Sequence, residues 1–340
     1  MITHLDKLIM VWTDLHSKLH KTLKQRSLLP KGERILIAVS GGQDSVCLLK
    51  LLLDLQSKWH WQLAIAHCDH GWSTDAGIAD HVQDLAKKWG LSFYVKIANN
   101  LKETEAAARE WRYQSLREIA TEQEFSIVVT GHTQSDRAET FLYNLMRGSG
   151  SDGLQAMTWQ RELAPHIQLV RPFLNISRAE TGLFCQQQQI PIWEDAFNEK
   201  LHYARNRIRQ QLLPYLKTEF NPQVETAIAQ TAELLQAEVQ YLENITETLF
   251  KQIANSELNQ LDRNQLKNLP LALQRRIIRH FLRHNLETSP NYEQIEEILQ
   301  LIPAPNRSRT STFSNKVAVE VKDHWLIIIK LSDAKFTHKS

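Results

Sequence analysis

The sequence predicts an α/β protein, in which a doubly wound, mostly parallel sheet is followed by a second, mainly helical domain and a short C-terminal β hairpin. Three observations carry this prediction. Short apolar runs alternate with helical patterns between residues 33 and 130, the apolar period approaches 3.6 residues beyond Asn221-Pro222, and two β-rich runs end the chain. The 340 residues, 42% of them hydrophobic and 23% charged, suit a globular protein with two or more domains.

The sheet is predicted from short apolar runs separated by helices. Runs such as Ile35 to Val39 are apolar at consecutive positions, which is typical of strands buried on both faces. Ligands bind open parallel sheets at the carboxyl ends of the strands, so the residues that follow each strand are the candidates for a site. The predicted strands are residues 34–39, 62–67, 92–97 and 126–130, and the predicted helices between them are residues 44–56, 76–89 and 103–124.

The flanking segments are mainly helical. Residues 1–26 place charged side chains around Leu5, Ile9, Leu15 and Leu19, which indicates an amphipathic helix rather than a signal peptide. Ser177 with Glu180 forms a capping box, which starts another helix. Further helices are predicted at 223–255, 271–285 and 292–302, and strands at 310–319 and 324–331. The predicted limits are an N-terminal helix at 1–27, a sheet domain at 28–221 and a mainly helical domain at 222–335.

Composition excludes several classes of protein. The longest apolar runs are strand-sized and fall short of the roughly 20 residues that span a bilayer, so no membrane segment is expected. Cys47, Cys68 and Cys185 lie far apart, which indicates neither a zinc site nor a disulfide framework and favours the reducing cytoplasm. The formal net charge of +2 does not by itself indicate a nucleic-acid partner, because the placement of the cations matters more than their sum.

The clearest chemical signal is the run Ser40-Gly41-Gly42-Gln43-Asp44-Ser45, between a predicted buried strand and a predicted helix. Adjacent glycines allow backbone N–H groups to converge on phosphate oxygens, and the positive end of the following helix adds to the attraction. The two serine hydroxyls can donate hydrogen bonds, and Asp44 is a candidate ligand for Mg²⁺. No Walker A motif is present. The alternative is a plain strand-to-helix turn.

Charged pairs along the chain suggest further contacts. Arg109 and Arg112 share one side of a predicted helix and can clamp phosphates, and Asp136 and Glu139 have the same spacing and suit a cationic side chain. The arginines could instead belong to an ordinary solvated helix face, and the two acids to a first helix turn that is enriched in acids because of the helix dipole. Two arginine sets suit RNA phosphates: Arg205, Arg207 and Arg209 after Tyr203, and Arg275, Arg279 and Arg283 on one helix face.

These motifs together resemble a known superfamily. The run at residues 40–45 is similar to the signature of the PP-loop (N-type) ATP pyrophosphatases, which have a Rossmann-like sheet. Residues 67–72, 105–113, 131–140, 147–150 and 194–209 follow in an order that resembles the tRNA(Ile)-lysidine synthases within that superfamily. The sequence departs from the common bacterial pattern at Thr133, where a second histidine is frequent, and at Arg137, where glutamine is usual. The roles of these two side chains stay open.

The resemblance implies an activity and a set of roles. A synthase of this family uses ATP and Mg²⁺ to adenylate the wobble cytidine of tRNA(Ile) with a CAU anticodon, and then joins free L-lysine to C2, releasing AMP and pyrophosphate. ATP would bind at residues 40–45 and Asp69, and Asp44 would hold the metal. Arg112 and Asp44 would act in catalysis together with Asp136 and Glu139, which would also receive lysine. The oligomeric state stays open, with a homodimer among the options.

Three other functions remain in competition. A PP-loop enzyme that thiolates tRNA ordinarily uses a CxxC pair or two catalytic cysteines, a spacing that this chain lacks. An enzyme that amidates a small molecule with ammonia from glutamine would want a glutaminase domain or partner, and no motif for one is visible. A non-catalytic, nucleotide-sensing RNA-binding module would not need Asp44, Arg112, Asp136 and Glu139 together.

Overall fold

A computed structural model describes residues 12–193, 203–313 and 316–330. Outside them lie the first 11 residues of the predicted N-terminal helix, the motif residues Glu194, Asp195 and Asn198, and Leu331. The chain divides into two compact units, Met1–Gln236 and Ala237–Ser340. Within the described ranges, no helix has the length and apolar character needed to cross a bilayer.

The first unit is built on a six-stranded sheet in the order β3-β2-β1-β4-β6-β5. All neighbouring pairs are parallel except β5 with β6, which confirms the predicted doubly wound, mostly parallel sheet. The chain runs from β1 to β2 on one side and later to β4 on the other, so a crevice opens at the carboxyl ends of β1 and β4. The strands are β1 Arg34–Ala38, β2 Gln62–Asp69, β3 Ser92–Ile97, β4 Ile127–Thr130, β5 Gln160–Ala164 and β6 Ile167–Val170.

Helices cover the sheet and bury its apolar strands. Leu36 and Ile37 of β1, on opposite faces, are both fully buried, as the consecutive apolar pattern predicted. The helices are α1 Asp14–Arg26, α2 Gln43–Trp59, α3 Ile78–Trp89, α4 Glu105–Glu122, α5 Gln134–Met146, α6 Gly150–Leu154, α7 Arg178–Gln187, α8 Ala204–Arg207 and α9 Leu213–Glu219. A π-helical turn, Ile208–Leu212, separates α8 from α9. The long helix α10, Val224–Ile253, begins in this unit.

The second unit combines helices with a small antiparallel sheet. Its elements after α10 are β7 Gln260–Asp262, α11 Arg263–Lys267, α12 Leu271–Asn285, α13 Tyr292–Leu301, β8 Val317–Lys322 and β9 Trp325–Lys330. The strand order is β7-β9-β8. Its core contains Ile277, Phe281 and Val319, each fully buried. The helical region and the C-terminal hairpin are therefore confirmed.

Three details differ from the sequence prediction. The hairpin β5–β6 was not expected, because β5 is an edge strand with exposed polar residues such as Arg161 and Glu162. The strand expected at 310–319 runs instead from Val317 to Lys322. The turn of the last hairpin is Asp323-His324 rather than Lys322-Asp323, and Asp323 has a φ of 55°, a conformation that Asp tolerates better than most residues.

Candidate active site

The glycine loop at residues 40–45 joins the end of β1 to the start of α2. Gly41 has a φ of 86°, and a Cβ there would stand 3.0 Å from Cγ2 of Ile78, so glycine is required on two counts. The Trp193 N–H donates to the Gly41 carbonyl at 2.9 Å. Ser45 Oγ accepts the Ser40 N–H at 3.1 Å and donates to the Gly42 carbonyl at 2.9 Å. These contacts fix the loop at the N-terminus of α2, a position where backbone N–H groups and the helix dipole favour an anion.

The end of β4 packs tightly against this loop. A Cβ on Gly131 would lie 3.0 Å from both the carbonyl carbon and oxygen of Asp44 and 3.1 Å from Cα of Ser45. Because these are backbone atoms, a side chain at residue 131 would fit only if the end of β4 or the start of α2 moved. Gly131 therefore brings the residues that follow β4 directly beside the first turn of α2.

Helix α7 faces the first turn of α2, a contact that the sequence analysis missed. Asp44 accepts a short hydrogen bond from the Thr181 hydroxyl and lies 3.6 Å from Nε of Arg178. Gln43 Nε2 donates to the Arg178 carbonyl at 2.7 Å and to Thr181 Oγ1 at 2.8 Å, so its side chain points to α7. Burial raises the pKa of Asp44, although Arg178 opposes that shift. The capping box of Ser177 was the available signal for this helix.

A metal at this end of the sheet would rely on few protein ligands. Throughout the described part of the chain, no group of three or more His, Cys, Asp or Glu side chains could hold a metal ion by itself. Mg²⁺ is commonly held by one or two carboxylates together with substrate phosphates, and Asp44 at the anion-binding loop fits that pattern. Asp136 is close enough to raise the pKa of Asp44 after the larger effects of burial and Arg178.

The end of β2 borders the same edge of the sheet. His67 is buried and its Nδ1–H donates to the Val39 carbonyl at 2.8 Å, while burial lowers its pKa. This ring therefore links β2 to β1 as a neutral group. Asp69 is half-buried, and its Oδ1 accepts the Gly71 N–H at 2.8 Å in a tight turn. The ATP role of Asp69 stays a prediction.

Helix α4 places its arginines around one tyrosine. The guanidiniums of Arg109 and Arg112 lie 5.1 and 5.9 Å from the centre of the Tyr113 ring, and Arg171 NH2 donates to its hydroxyl at 3.5 Å. Burial works to raise the pKa of Tyr113, but Arg109, Arg171 and Arg112 outweigh it and lower it to about 8. Arg171, which follows β6, was missed, although its position at a strand end could have indicated it.

Helix α5 carries the two acids that were predicted to act together. Thr133 caps the helix, and Oδ2 of Asp136 accepts the Thr133 N–H at 2.8 Å. The Arg209 guanidinium binds Glu139 through Nε at 2.6 Å and NH2 at 2.8 Å, and it reaches Oδ1 of Asp136 at 3.2 Å. Arg209, predicted to contact tRNA, is thus a cationic partner of both acids.

The electrostatics of this pair are asymmetric. Burial raises the pKa of Glu139, and Arg209 only partly opposes it. For Asp136 burial acts in the same direction, but the His132 ring in its protonated form, Arg209 and the Thr133 amide outweigh it and lower its pKa. Desolvation lowers the pKa of His132 to about 3, so this ring is neutral near pH 7. The site therefore joins one firmly ionised carboxylate to one that is easier to protonate.

Arg137, which lies between Asp136 and Glu139 in the sequence, forms a buried ion pair. It is 1% exposed, and its NH1 donates to Oε2 of Glu233 on α10 at 2.7 Å. The same oxygen accepts Nε1–H of Trp159 at 2.8 Å, and the other oxygen pairs with Arg26 of α1 at 2.7 Å. Thr133 as a helix cap and Arg137 as a buried ion pair thus gain structural roles where the sequence leaves the family pattern.

The remaining predicted arginines differ in their surroundings. Arg205 pairs with Glu105 of α4 at 2.9 Å, while Arg207 is exposed. In the second unit, Arg275 pairs with Glu296 at 2.7 Å. Arg279 lies 3.9 Å from Glu243, which also binds Arg276 and His280, and Arg283 is exposed in the last turn of α12. The RNA-binding roles of all six predicted arginines stay predictions.

Comparison with known proteins agrees with this geometry. Residues 12–216 match the model of the PP-loop domain, and residues 261–319 match the TilS substrate binding domain. The sheet order, the glycine loop at the end of β1 and the first match define a PP-loop protein that uses ATP. The U34-tRNA thiolase NcsA from Methanococcus maripaludis, with a TM-score of 0.55 and 15% identity over 65% of this chain and 78% of that chain, shares the fold alone.

Relatives of known name define the family more narrowly. The tRNA(Ile)-lysidine synthase of Nostoc sp. is 53% identical over 334 residues, which cover 94% of this chain and 98% of that protein. The tRNA(Ile)-lysidine synthase of Synechocystis sp. is 57% identical over 323 residues, which cover 93% and 98%. The chain belongs to the tRNA(Ile)-lysidine synthase family.

Proposed function

We propose that this enzyme joins free L-lysine to C2 of the wobble cytidine in tRNA(Ile) with a CAU anticodon. One observation carries the proposal: the anion-binding loop, which contains Asp44, lies near Asp136 and near Arg209, the partner of Glu139, so a triphosphate and a cationic amino acid can meet at one edge of the sheet. The names of the relatives support the tRNA substrate, as does the match of residues 261–319 to the TilS substrate binding domain.

The first step adenylates the base. With the triphosphate on the N–H groups of the loop and the first turn of α2, the C2 carbonyl oxygen of cytidine attacks the α-phosphorus, and pyrophosphate leaves. Mg²⁺, held by Asp44 and the phosphates, would neutralise charge on the triphosphate. Arg112 on α4 would oppose the negative charge that develops at the α-phosphorus, as a fixed guanidinium can.

The second step uses the acid pair. The ε-amine of lysine attacks C2, AMP leaves, and the lost proton must be accepted, because only the neutral amine is a nucleophile. Glu139, whose pKa is raised by burial, is the better proton acceptor of the two carboxylates. Because Arg209 already binds both acids, the ammonium of lysine must share or exchange this partner when it enters.

We assign the chemistry and tRNA binding to the domains predicted from the sequence. Residues 28–221 would carry the chemistry, with residues 1–27 as an added helix, and residues 222–335 would bind tRNA. The proposal that the enzyme acts in the cytoplasm is supported by its three cysteines, none of which forms a disulfide. A thiolase reaction finds no support in these residues, because Cys47 and Cys185 are buried and Cys68 is half-buried with a pKa that burial raises to about 12.

The decisive experiment incubates the protein with ATP, lysine and total tRNA and identifies the modified nucleoside by its mass. Lysidine in one isoleucine tRNA, with one pyrophosphate and one AMP per nucleoside, is the expected product. Asp44→Ala should abolish pyrophosphate formation, while the exposed Asp84→Ala serves as a matched control with unchanged turnover. A different nucleoside, or product that forms without lysine, would overturn the proposal.

The acid pair needs its own test. In the double variant Asp136→Asn with Glu139→Gln, tRNA adenylation without lysine should persist, while lysine should no longer displace AMP at a measurable rate. If this variant uses lysine as the wild type does, the acids do not receive it.

The basic face of α12 is tested by tRNA affinity. The triple variant Arg275→Ala, Arg279→Ala and Arg283→Ala should bind tRNA more weakly and with a flatter salt dependence. Unchanged affinity would make that face ordinary surface.

A further inference from the structure

A cavity of about 170 Å³ opens at the end of β2, against the first turns of α4. Its walls carry aromatic rings on one side and guanidiniums on another. The roles suggested above involve only Arg109, Arg112 and Arg205 of its lining residues. Its lining residues are His70, Trp72, Asp75, Glu105, Ala108, Arg109, Arg112 and Arg205.

Several contacts hold the aromatic wall in place. The His70 ring stacks on Trp72, with centroids 4.8 Å apart and planes inclined by 24°. His70 Nδ1 lies 3.1 Å from Oδ2 of Asp75, and Nε1–H of Trp72 donates to the Leu101 carbonyl at 3.3 Å. A fixed pair of rings at the edge of a cavity offers a flat surface on which a nucleobase can stack.

The basic wall has more cations than partners. Arg205 is paired with Glu105 at 2.9 Å, and Asp75 is engaged by His70. Across the part of the chain that the structure describes, neither Arg109 nor Arg112 makes an ion pair with a carboxylate. The guanidiniums of Arg109 and Arg112, beside Arg205, attract an anion, and the planar fork of arginine suits a phosphate.

We propose that this cavity binds one nucleotide of the RNA substrate, the cytidine that is to be modified, with its base on the His70–Trp72 rings and its backbone phosphate on Arg109. The inference rests on the proposed function and deepens it. ATP is also a nucleotide, but its triphosphate is assigned to the loop that follows β1 and its α-phosphorus to Arg112, so Arg109 is left for a second phosphate group. A single-stranded anticodon loop can turn a base into such a cavity at low cost.

The test is a double-mutant cycle between protein and RNA. Affinity for an anticodon stem-loop is measured by fluorescence anisotropy for the wild type, Trp72→Ala and Trp72→Phe, with the wobble cytidine either present or replaced by an abasic site. Trp72→Ala should weaken binding of the intact loop about 5- to 150-fold, the range for one stacked base. Trp72→Phe should restore most of it, and Trp12→Ala, at a distant exposed tryptophan, should change nothing.

Several outcomes distinguish the sources of the nucleotide. With the abasic loop, Trp72→Ala should cost less than about twofold, because the stacked base is already gone. For Trp72→Ala, the KM for ATP in pyrophosphate release should stay within about twofold of the wild-type value. Arg109→Gln should reduce the slope of log affinity for RNA against log salt concentration by about 0.7. A raised KM for ATP with unchanged RNA affinity would assign the cavity to ATP, and equal losses on both loops would exclude base stacking; either result overturns the inference.

Failure of this inference differs from failure of the proposed function. If the wild type forms lysidine and Trp72→Ala forms it with the same KM for tRNA, the cavity does not hold the base, while the activity stands. If the wild type neither adenylates nor modifies any tRNA, the activity itself is wrong. Circular dichroism of Trp72→Ala, compared with Trp72→Phe, separates loss of stacking from loss of fold.

Discussion

Replacing Glu233 by alanine would leave one of the most deeply buried cations of the molecule without its carboxylate. Arg137 is 1% exposed, and Glu233 Oε2 receives both its NH1 at 2.7 Å and Trp159 Nε1 at 2.8 Å. Among the residues that the structure describes, Arg137 has one further acceptor, Gln236 Oε1, at 3.4 Å. Loss of one partner of a buried ion pair costs about 3–5 kcal/mol, because the remaining charge stays desolvated and unpaired. We expect Glu233→Ala to lose that much stability.

Urea unfolding followed by tryptophan fluorescence measures this loss. Of the nine tryptophans all but Trp325 precede residue 237, so the signal reports on the first unit. Glu233→Gln should lose less, about 1–3 kcal/mol, because the amide can still accept a hydrogen bond. Asp84→Ala, which removes an exposed ion pair with Lys87, should stay within about 0.5 kcal/mol of the wild type.

Charge removal and pH provide independent checks. Arg137→Met combined with Glu233→Ala should be more stable than Glu233→Ala alone, since no charge is then left buried. Burial works to raise the pKa of Glu233, but Arg137, Trp159 and Arg26 outweigh it, so its pKa is lowered. Its contribution is therefore full above the ordinary pKa of 4.5 and is lost as pH falls through the lowered value. A loss below 1 kcal/mol for Glu233→Ala would refute this reasoning.

Three further predictions concern the site itself. Gly131→Ala should push the end of β4 away from the backbone of Asp44 and Ser45, destabilise the protein by about 1–3 kcal/mol and lower pyrophosphate formation at least about tenfold, whereas normal turnover would mean that the loop can yield. Arg209→Ala should raise the pKa of Glu139 further, so the acidic limb of the pH–rate profile of the lysine-dependent step should move to higher pH. An unchanged acidic limb would show that Arg209 does not control the protonation of Glu139. Tyr113→Phe should remove one phenol that ionises near pH 8 in a tyrosinate absorbance titration. Because the pKa of Tyr113 is lowered from 10.0, its ionisation adds up to about 3 kcal/mol to the free energy of unfolding above pH 10, and this gain is lost as pH falls through about 8. Identical titration curves for the wild type and Tyr113→Phe would contradict the lowered pKa.

The parallel sheet was predictable because its strands carry local signals. Ile35, Leu36 and Ile37 are apolar on both faces, and the run of residues 40–45 marks the turn that follows them. β5 gives no such signal, because it is an exposed edge strand whose pairing with β6 depends on tertiary contact alone. The second unit was predictable as helical for the same reason as the sheet, since Ile277, Ile278 and Phe281 fall on one buried face.

The candidate site was less predictable because its partners are distant in sequence. Asp136 and Glu139 were visible from their spacing on one helix, but their shared contact with Arg209 spans about 70 residues and depends on the fold. Thr181 and Arg178, which hold Asp44, lie more than 130 residues beyond it. Spacing along one helix can be read from a sequence, whereas pairing between elements requires their packing.

The π-helical turn Ile208–Leu212 has a consequence for any change of chain length in this region. One extra residue in a turn rotates all later side chains by about 100° compared with an unbroken α-helix. Arg209 lies within that turn and meets both acids, so removal of a single neighbouring residue should swing its guanidinium away while the helix stays intact. The length of this segment is therefore as much a part of the site as its composition, and homologues or engineered versions that shorten it would need another cation for Glu139.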